Sequence, residues 1–477
     1  MKSRKLHIVL LITGTVCTSS ALATNGYFSH GWGTKSKAMA GVAAALPQDT
    51  LVSATNPAGM GFIGNSLDLG VAFFSPSDRG YIANDDFGRD PSTGFPTGPF
   101  VTPGKYTSNQ DSFLVPSFGY NRVLDEKMTI GLSVFGNGGM NTKYMERPVW
   151  ENFALPQDML VNPDGSPTTN PPSFDPNGCT SPQMNNANPC GVFTATVPTS
   201  INLEQLFIEL PFTYKLNEHH SLGIAPVLAV QNFEARGLEP FAQLSVDGDN
   251  VSNNGKDWSY GGGLHLGWVG EVHDRFTLGA SYRTKMWMTK LDDYAGLFAN
   301  GGDFDIPAML ALGVSFKATP GLVLAFDYQR IFYGDIDAIS NSNNTDIRAC
   351  QAPGPKPDTC LGGSDGLGFG WDSMDVYKAG LLWDVNPKWS LRGGVSYASD
   401  FAPGGEGLFN VMAPATIKWH YTFGTTYRLS PSNEFNFSFA YMPEEKLKGQ
   451  NTNVTGAQSG AVYMEQKDIE ISWTHRF

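Results

Sequence analysis

The chain has 477 residues, of which 16% are charged and 12% are aromatic, and it carries a formal net charge of −13. This acidic balance argues against nucleic acid as a partner, because nucleic-acid-binding surfaces are basic. No run approaches the ~18 consecutive apolar residues that a membrane helix needs, so any crossing of a membrane would be made by strands. A chain of this length often forms two or three soluble domains, but an all-β barrel of this size forms one.

Residues 1–23 have the order of a secretory signal peptide. Lys2, Arg4 and Lys5 precede a short apolar run, which ends at Ala21-Leu22-Ala23, a small-residue cleavage motif. Removal of this segment would take away three basic and no acidic residues, and would leave 29 basic and 45 acidic side chains. We therefore expect an exported, acidic protein.

Four cysteines follow this segment, and they fall into two local pairs, Cys179 with Cys190 and Cys350 with Cys360. In an exported protein, such short-range pairs predict disulfides that staple loops. Zinc is the alternative, but neither spacing is C-x-x-C and no histidine lies close to either pair. We predict disulfides, and neither a metal nor a cofactor.

The segment 24–64 differs from the rest of the chain because small residues dominate it. The run from Ser36 to Leu46 predicts a helix that is ended by Pro47. Asp49 is placed to cap a second short helix, which would end at Asn56-Pro57-Ala58. We predict that this segment is a hatch, which plugs a barrel built by residues 65–477.

From Ser66 onward, apolar and polar residues alternate in segments as long as a tilted transmembrane strand. The alternation would turn Lys418 and His420 inward, and Trp419 and Tyr421 outward. Fourteen such segments are predicted, near 66–73, 112–122, 127–140, 202–216, 221–235, 257–270, 276–288, 304–317, 321–332, 371–384, 388–399, 415–427, 434–442 and 461–477.

Short turns alternate with long loops along the whole chain, which is typical of an up-and-down outer-membrane barrel with tight periplasmic turns. Both cysteine pairs fall in long loops and are therefore expected on the outer surface. Phe477 on the last strand resembles an outer-membrane assembly signal. The long loops are predicted near 76–110, 141–200, 237–256, 289–303, 333–370, 400–414 and 443–460.

These features place the protein in the outer membrane of a Gram-negative bacterium. The predicted partners at this location are outer-membrane lipid and lipopolysaccharide and the barrel assembly machinery. We expect a monomer, because a plugged barrel of this size is self-contained.

Several motifs together resemble the FadL/TodX family of outer-membrane transporters. They are NGYFSHGWGTKSKAMAG, ALPQDT, TNPAGM, FGNGGMNT, GASYRTKMWM, DYAGLF and APATIKWHYTFGTTYRLS. The resemblance implies an all-β fold, a 14-stranded antiparallel transmembrane β-barrel with a small N-terminal helical hatch. It also implies passive uptake of long-chain fatty acids or, in some branches, of aromatic and other hydrocarbons. Ligand would collect among outer loops, enter a pocket in the barrel and leave sideways through a kink in the third strand.

The third predicted strand contains Gly136, Gly138 and Gly139, which weaken strand pairing and permit a bulge. A bend at the barrel rim without a transport role is the alternative, and the resemblance favours a lateral gate. Asn56-Pro57-Ala58 is the most specific short element of the resemblance. We predict that Asn56-Pro57 contacts the gap that these three glycines would leave in the barrel wall, the glycine-rich gap.

A fatty acid needs apolar surface for its tail and one or two cations for its head group. The inward-facing candidates are Arg283, Lys285, Lys378, Arg392, Lys418 and His420, most of which would belong to a solvated charge network. We expect Arg283 and Lys418 to bind ligand. The apolar candidates are Phe28, Trp32 and Met60 in the hatch and Leu297 and Phe298 in an outer loop, with plain packing as the alternative for each.

Two other classes of protein are less consistent with the sequence. Gly362-Gly363-Ser364-Asp365-Gly366 formally matches the G-x-S-x-G motif of hydrolases, but it lies in a glycine-rich loop and not between a strand and a helix. No nucleophile, base and acid can be assembled near it, so an outer-membrane enzyme is not predicted. A general porin would not need the hatch.

Overall fold

The computed structural model describes residues 24–88, 100–145, 149–153, 192–194, 197–343, 350, 355–402, 406–452, 454 and 456–477. The predicted signal peptide and the predicted Cys179–Cys190 disulfide lie outside the described residues.

Within these ranges the chain forms a closed antiparallel barrel, because β1 pairs with both β2 and β14. The predicted 14-stranded barrel is confirmed. Its strands are β1 (Ser66–Ser75), β2 (Phe113–Val123), β3 (Met128–Tyr144), β4 (Thr199–Glu209, continued as Phe212–Lys215), β5 (His220–Arg236), β6 (Asp257–His273), β7 (Phe276–Arg283, continued as Trp287–Met288), β8 (Met309–Thr319), β9 (Leu322–Ile331), β10 (Met374–Asn386), β11 (Trp389–Ala398), β12 (Trp419–Ser430), β13 (Asn433–Asn451) and β14 (Gln458–Arg476).

The two faces of the wall follow from the alternation in the sequence. Along β4, Gln205, Phe207 and Glu209 are buried inside the barrel, whereas Leu206 and Ile208 face outward and are only partly covered. Outward-facing large apolar side chains recur on the other strands, and many are about half exposed. Such a surface suits contact with lipid, and a soluble protein would rarely expose it.

As predicted, the connections at one end of the barrel are short and those at the other end are long. At one end the strands are joined by two to four residues, and there the backbone N–H of Phe477 donates to the carbonyl of Asn65 (3.3 Å). The predicted loop 443–460 is wrong, because β13 and β14 continue as a paired hairpin to Asn451 and Gln458. Beyond the membrane a strand needs no apolar outward face, so hydrophobic alternation does not reveal it.

The long loops carry short elements of their own. The Cys350–Cys360 disulfide lies in the loop between β9 and β10, as predicted. The additional strands are Gly80–Ala83, Gly104–Thr107, Phe100–Val101, Trp150–Phe153 and Val192–Thr194. The helical turns are α1 (Thr34–Lys37), α2 (Ala299–Gly302) and α3 (Asp337–Ser340), with 3₁₀ turns at Thr50–Ala54, Pro57–Phe62, Glu239–Leu244, Gly248–Asn250, Asp292–Tyr294, Tyr333–Asp335 and Gly407–Met412.

None of the helices in the described residues has the length and apolar character of a membrane-spanning helix.

The hatch is less helical than predicted. The helix expected over 36–46 is wrong, since α1 ends at Lys37 and the chain turns through positive φ at Ala40 (56°) and Gly41 (87°). A Cβ on Gly41 would lie 1.8 Å from the carbonyl oxygen of His30, so only glycine permits this close return of the chain. Asp49 caps the next turn as predicted, by accepting a hydrogen bond from the N–H of Leu51.

Candidate ligand site

Ion pairs fix the first part of the hatch to the barrel wall. The Lys37 ammonium contacts Glu470 (2.8 Å) and Asp468 (3.0 Å), and Lys35 pairs with Glu434. All five side chains are buried. Burial alone would lower the pKa of Lys37, but the two carboxylates outweigh burial and raise it. Lys37 therefore remains charged and paired inside the barrel.

Carboxylates of the wall also bind the hatch backbone. One oxygen of Asp327 accepts hydrogen bonds from the N–H groups of Ala43 and Ala44, both at 2.8 Å. Asp68 accepts from the backbone N–H (3.0 Å) and the hydroxyl (2.6 Å) of Thr50. The middle of the hatch is thus held by charge-assisted hydrogen bonds, which are stronger than neutral ones.

The motif Asn56-Pro57-Ala58 lies against β4, β5 and β6. The Asn56 amide donates to the carbonyl of Trp268 (3.0 Å), and the hydroxyls of Thr213 and Ser221 donate to the carbonyls of Pro57 and Ala58. The prediction that Asn56-Pro57 contacts the glycine-rich gap is therefore wrong. The polar partners that satisfy this buried backbone stand on other strands, and sequence spacing does not reveal which strands those are.

The gap is contacted by the beginning of the hatch. The pairing of β3 with β4 shifts register between Gly136 and Gly138. At this bulge, the N–H of Ser29 donates to the carbonyl of Asn137 (3.0 Å), and the N–H of Gly139 donates to the carbonyl of Tyr27 (2.9 Å). A Cβ on Gly138 would lie 1.8 Å from that Tyr27 oxygen. The glycines therefore let a second layer of backbone pair with the inside of β3.

One loop hydroxyl holds this inner backbone in place. The Tyr333 hydroxyl accepts hydrogen bonds from the N–H groups of Tyr27 (3.1 Å) and Phe28 (3.2 Å) and donates to the carbonyl of Asn25 (2.6 Å). The sequence alone does not reveal Tyr333, because it lies in a long loop about 305 positions from its partners, where no local pattern marks it.

Arg283, at the end of the main part of β7, lies beside the bulge and is fully buried. Its guanidinium carbon is 4.8 Å from the ring centre of Phe207, 5.2 Å from that of Trp32 and 5.5 Å from that of Phe28. Its Nη2 donates to the side-chain oxygen of Asn137 (2.9 Å). Within the described part of the chain, its Nε and Nη1 have no hydrogen-bond partner.

At the position of the predicted outer groove the structure has a small cavity of about 50 Å³. Leu297 and Phe298 line it, and its surface is almost entirely apolar. Its other lining residues are Trp150, Ile201, Leu238, Phe241, Ala338, Leu361, Leu367, Gly368, Phe369 and Met412.

A chain of aromatic contacts connects this cavity with Arg283. The ring centres of Phe298 and Phe304 are 4.8 Å apart, those of Phe304 and Tyr27 are 6.4 Å apart, and those of Tyr27 and Phe28 are 5.3 Å apart. Phe28 then packs on the guanidinium of Arg283. The structure thus brings Phe28, Trp32 and Arg283 together and links them to the outer cavity.

Two predicted ligand residues lie elsewhere. Lys418 does not face the lumen, because it precedes β12 and pairs with Asp400 at the rim, whereas its neighbour Ile417 is buried. Because β12 begins only at Trp419, the inward and outward alternation of its side chains does not extend back to Lys418. Met60 packs inside the hatch against Ala43 and Val52, away from Arg283.

The other predicted cations are not part of a solvated network. Lys285 is partly exposed and pairs with Asp305 (2.7 Å). The remaining three are buried against the hatch. Lys378 donates to the carbonyl of His30 (3.0 Å), His420 stacks on the His30 ring, and Arg392 donates to the Gln48 side chain (2.7 Å). Arg283 is therefore the predicted cation that lies nearest to the bulge.

A closed 14-stranded barrel with an apolar outer surface and an N-terminal segment folded into its lumen defines a class of outer-membrane channels. Residues 184–470 match the family described as outer membrane protein transport protein (OMPP1/FadL/TodX). The match covers more than half of the chain, so the protein belongs to this family of outer-membrane transport proteins.

Solved structures show the same fold at low sequence identity. The Pseudomonas putida toluene transporter TodX is 18% identical with a TM-score of 0.61, and the match covers 94% of this chain and 99% of TodX. A Pseudomonas aeruginosa FadL homologue is 15% identical with a TM-score of 0.61, over 95% and 100% of the two chains. The Ralstonia pickettii toluene transporter TbuX is 16% identical with a TM-score of 0.54, over 94% and 99%. No curated protein sequence matches this chain.

Proposed function

We propose that this protein is a passive outer-membrane transporter of long-chain fatty acids or similar hydrophobic acids, and that it works without a cofactor. The observation that carries the proposal is the buried Arg283 guanidinium, which keeps two N–H groups without partners among the described residues. Buried N–H groups without acceptors are costly, and a neutral hydrocarbon would leave these without one. A carboxylate would bring both an acceptor and a counter-charge, and charge-assisted hydrogen bonds of this kind are strong.

The surroundings of Arg283 suit the rest of such a ligand. The aromatic rings of Phe28, Trp32 and Phe207 offer apolar surface to an acyl chain next to its charged head group. The aromatic path from the cavity at Leu297 and Phe298 gives a route on which the chain stays out of water. Ligand would therefore collect in the outer cavity and move inward along these rings.

The exit would be the bulge in β3. We call Arg283 with the surrounding rings of Phe28, Trp32 and Phe207 the Arg283 cage. A ligand that enters this cage takes up space now filled by the Phe28 ring, and Phe28 bridges to Gly138 across the bulge. Displacement of Phe28 would withdraw the backbone of Tyr27–Ser29 from the wall. A lateral opening would then form between β3 and β4, where Gly136, Gly138 and Gly139 leave the strand without bulky side chains.

Uptake of neutral hydrocarbons is a second candidate function. TodX and TbuX, which share the fold, are described as toluene transporters. The outer cavity favours this candidate, because its lining offers almost no polar group to a head group.

Uptake by cells that lack their own transporter would separate the two candidates. Labelled oleate and labelled toluene would be given to cells that express the wild type, Arg283→Gln or the control Lys418→Gln, whose cation lies at the rim. We expect oleate uptake that is lost in Arg283→Gln and kept in Lys418→Gln. Toluene uptake without oleate uptake in the wild type would contradict the fatty-acid proposal.

A further inference from the structure

A buried histidine and a buried glutamate lie next to Arg283, and among the described residues they form no hydrogen bond with the hatch. His265 on β6 and Glu209 on β4 are both fully buried, and the His265 Nδ1 lies 3.2 Å from a Glu209 carboxylate oxygen across β5. Because an ionised carboxylate only accepts hydrogen bonds, this contact assigns the Nδ1 proton to the imidazole and leaves Nε2 as its second, free nitrogen.

His265, Glu209 and Arg283 each have side-chain atoms without a hydrogen-bond partner among the described residues, and these atoms lie in the same part of the barrel interior. His265 and Arg283 are directly opposite each other in the β6–β7 ladder, and both side chains are buried inside the barrel. Over the described residues, His265 Nε2 and the second oxygen of Glu209 have no hydrogen-bond partner, and neither do Nε and Nη1 of Arg283. Buried polar atoms are rarely left unpaired, so four such atoms on three adjacent side chains indicate a site that a polar ligand completes.

The position of the bulge creates a problem for an ionised ligand. Asn137, which binds Arg283, lies midway along β3, a strand of 17 residues. Gly136 is paired there with Leu206, whose side chain faces the lipid side of the wall. A carboxylate that left sideways at this depth would enter hydrocarbon as an ion, which is strongly unfavourable. In water at pH 7 only about one carboxyl in 500 with an ordinary pKa of about 4.3 is protonated.

We propose that the Glu209–His265 pair hands a proton to the ligand carboxylate bound at Arg283, so that the ligand leaves through the wall as the neutral acid. This inference rests on the proposed function. The N–H bond at Nε2 of the imidazolium breaks and its electron pair stays on the nitrogen, while an O–H bond forms on the carboxylate. The imidazole remains neutral with its Nδ1–H donated to Glu209, and a solvent proton entering from the lumen restores the imidazolium.

Each group in the cluster then has a distinct part. Arg283 holds the anion, and loses its hold once the anion is neutralised. Glu209 orients the imidazole by accepting its Nδ1–H, as carboxylates do in general acid–base chemistry. The other titratable side chains around the cluster are Tyr27 in the hatch, Tyr333 in the loop after β9 and Asp305 before β8.

The test compares an acid with an uncharged ligand of the same chain length. Labelled oleate and labelled oleyl alcohol would be offered at pH 7.5 and pH 5.5 to cells that express the wild type, His265→Gln, Glu209→Gln or Arg283→Gln. The matched control is His219→Gln, since His219 forms a similar pair with Glu271 (3.3 Å) in an exposed turn. Heat-modifiable electrophoretic mobility would show that each barrel is assembled.

We expect His265→Gln and Glu209→Gln to lower oleate uptake at pH 7.5 by about a hundredfold, the lower end of the range in which a positioned proton donor acts. Their uptake of oleyl alcohol and their affinity for oleate should stay at the wild-type level, and oleate uptake should recover at pH 5.5. His219→Gln should behave as the wild type.

Equal losses of oleate and oleyl alcohol uptake would show a structural role and overturn the proposal. Oleate uptake that depends on Arg283 but not on His265 would overturn the proton transfer and keep the proposed function. A wild type that takes up oleyl alcohol but no oleate would overturn the fatty-acid function itself.

Discussion

Residues 34–64 of the hatch, the anchor, are tied to the wall by ion pairs and charge-assisted hydrogen bonds. Residues 25–32, the plug, are held by aromatic packing, by backbone pairing with β3, by the Tyr333 hydroxyl and by one hydrogen bond from Lys378 to the His30 carbonyl. The anchor contacts carboxylates on β1, β9, β13 and β14. The plug contacts the bulge and the Arg283 cage. We therefore expect the anchor to stay in place and the plug to be the part that a ligand displaces.

The two parts also differ in how the charged groups around them are paired. The anchoring carboxylates Glu434, Asp468 and Glu470 each have a cation. The groups around the plug, Arg283, His265 and Glu209, retain free hydrogen-bonding atoms over the described residues. A region whose polar groups are satisfied resists change, and a region with unsatisfied groups gains free energy when a ligand binds.

The largest effect is expected from breaking the anchor at Lys37. Lys37→Met would leave Asp468 and Glu470 buried without their cation, which costs about 3–5 kcal/mol. Hydrogen exchange of residues 34–41 in assembled barrels should accelerate more than a hundredfold. Lys467→Met is the matched control, because its pair with Glu465 is on the surface and should change stability by less than about 1 kcal/mol. Equal effects of the two variants would show that the anchor is not electrostatic.

Crowding the plug should open the wall without loosening the anchor. In Gly138→Ala the new Cβ would collide with the carbonyl of Tyr27, and overpacking of this kind costs about 1–3 kcal/mol. We expect the uptake of a neutral hydrophobic dye to rise by roughly tenfold. Gly393→Ala on β11 adds a methyl group that makes only an ordinary contact, 3.7 Å from the Thr422 carbonyl oxygen, and should leave dye uptake unchanged. If dye uptake through the Gly138→Ala barrel did not rise above the wild-type level, that result would argue against an exit at the bulge.

Removal of the Tyr333 hydroxyl should destabilise the plug by less than Gly138→Ala does. Tyr333→Phe keeps the aromatic packing but removes two acceptor contacts and one donated bond, a loss of about 1–2 kcal/mol. The amides of Tyr27 and Phe28 should exchange about tenfold faster. Tyr328→Phe removes a hydroxyl that binds Asp375 at the rim and should not affect those amides. Unchanged exchange in Tyr333→Phe would mean that packing alone holds the plug.

The smallest expected effect is a pH dependence confined to the anchor. Burial and the nearby Asp68 raise the pKa of Asp49 to about 7. The folded anchor therefore binds a proton that the unfolded chain, with an ordinary pKa near 3.9, releases above about pH 4. Stability from this group is present at low pH and is lost as pH rises through 7, by about 1 kcal/mol between pH 6 and pH 8. Protection of residues 50–55, corrected for intrinsic exchange, should fall accordingly, and Asp49→Asn should abolish the change.

The barrel could be predicted from the sequence because its signals are local. Alternation along β4 and β12, short turns and long loops depend on neighbouring residues, and Arg283 was found because alternation turned it inward. Lys418 was misplaced because it lies one residue before its strand. The hairpin above β13 and β14 was missed because its outward side chains need not be apolar.

The plug could not be predicted because its contacts are distant in sequence. Asn137 and Arg283 are separated by 146 positions, and Phe28 and Tyr333 by 305. Asn56-Pro57 was expected at the bulge, yet its hydrogen-bonding partners lie on β4, β5 and β6. Composition identifies a compact segment of small residues, but only the fold decides which end of it reaches the gap.

The central claim is that ligand binding releases the plug and leaves the anchor in place. Hydrogen–deuterium exchange of the assembled wild-type barrel, measured with and without oleate, tests it directly. We expect oleate to speed the exchange of amides in residues 25–32 by about tenfold or more, as Tyr27–Ser29 leave β3, and to leave residues 34–64 unchanged. Equal acceleration in both parts, or slower exchange in the plug, would contradict the account.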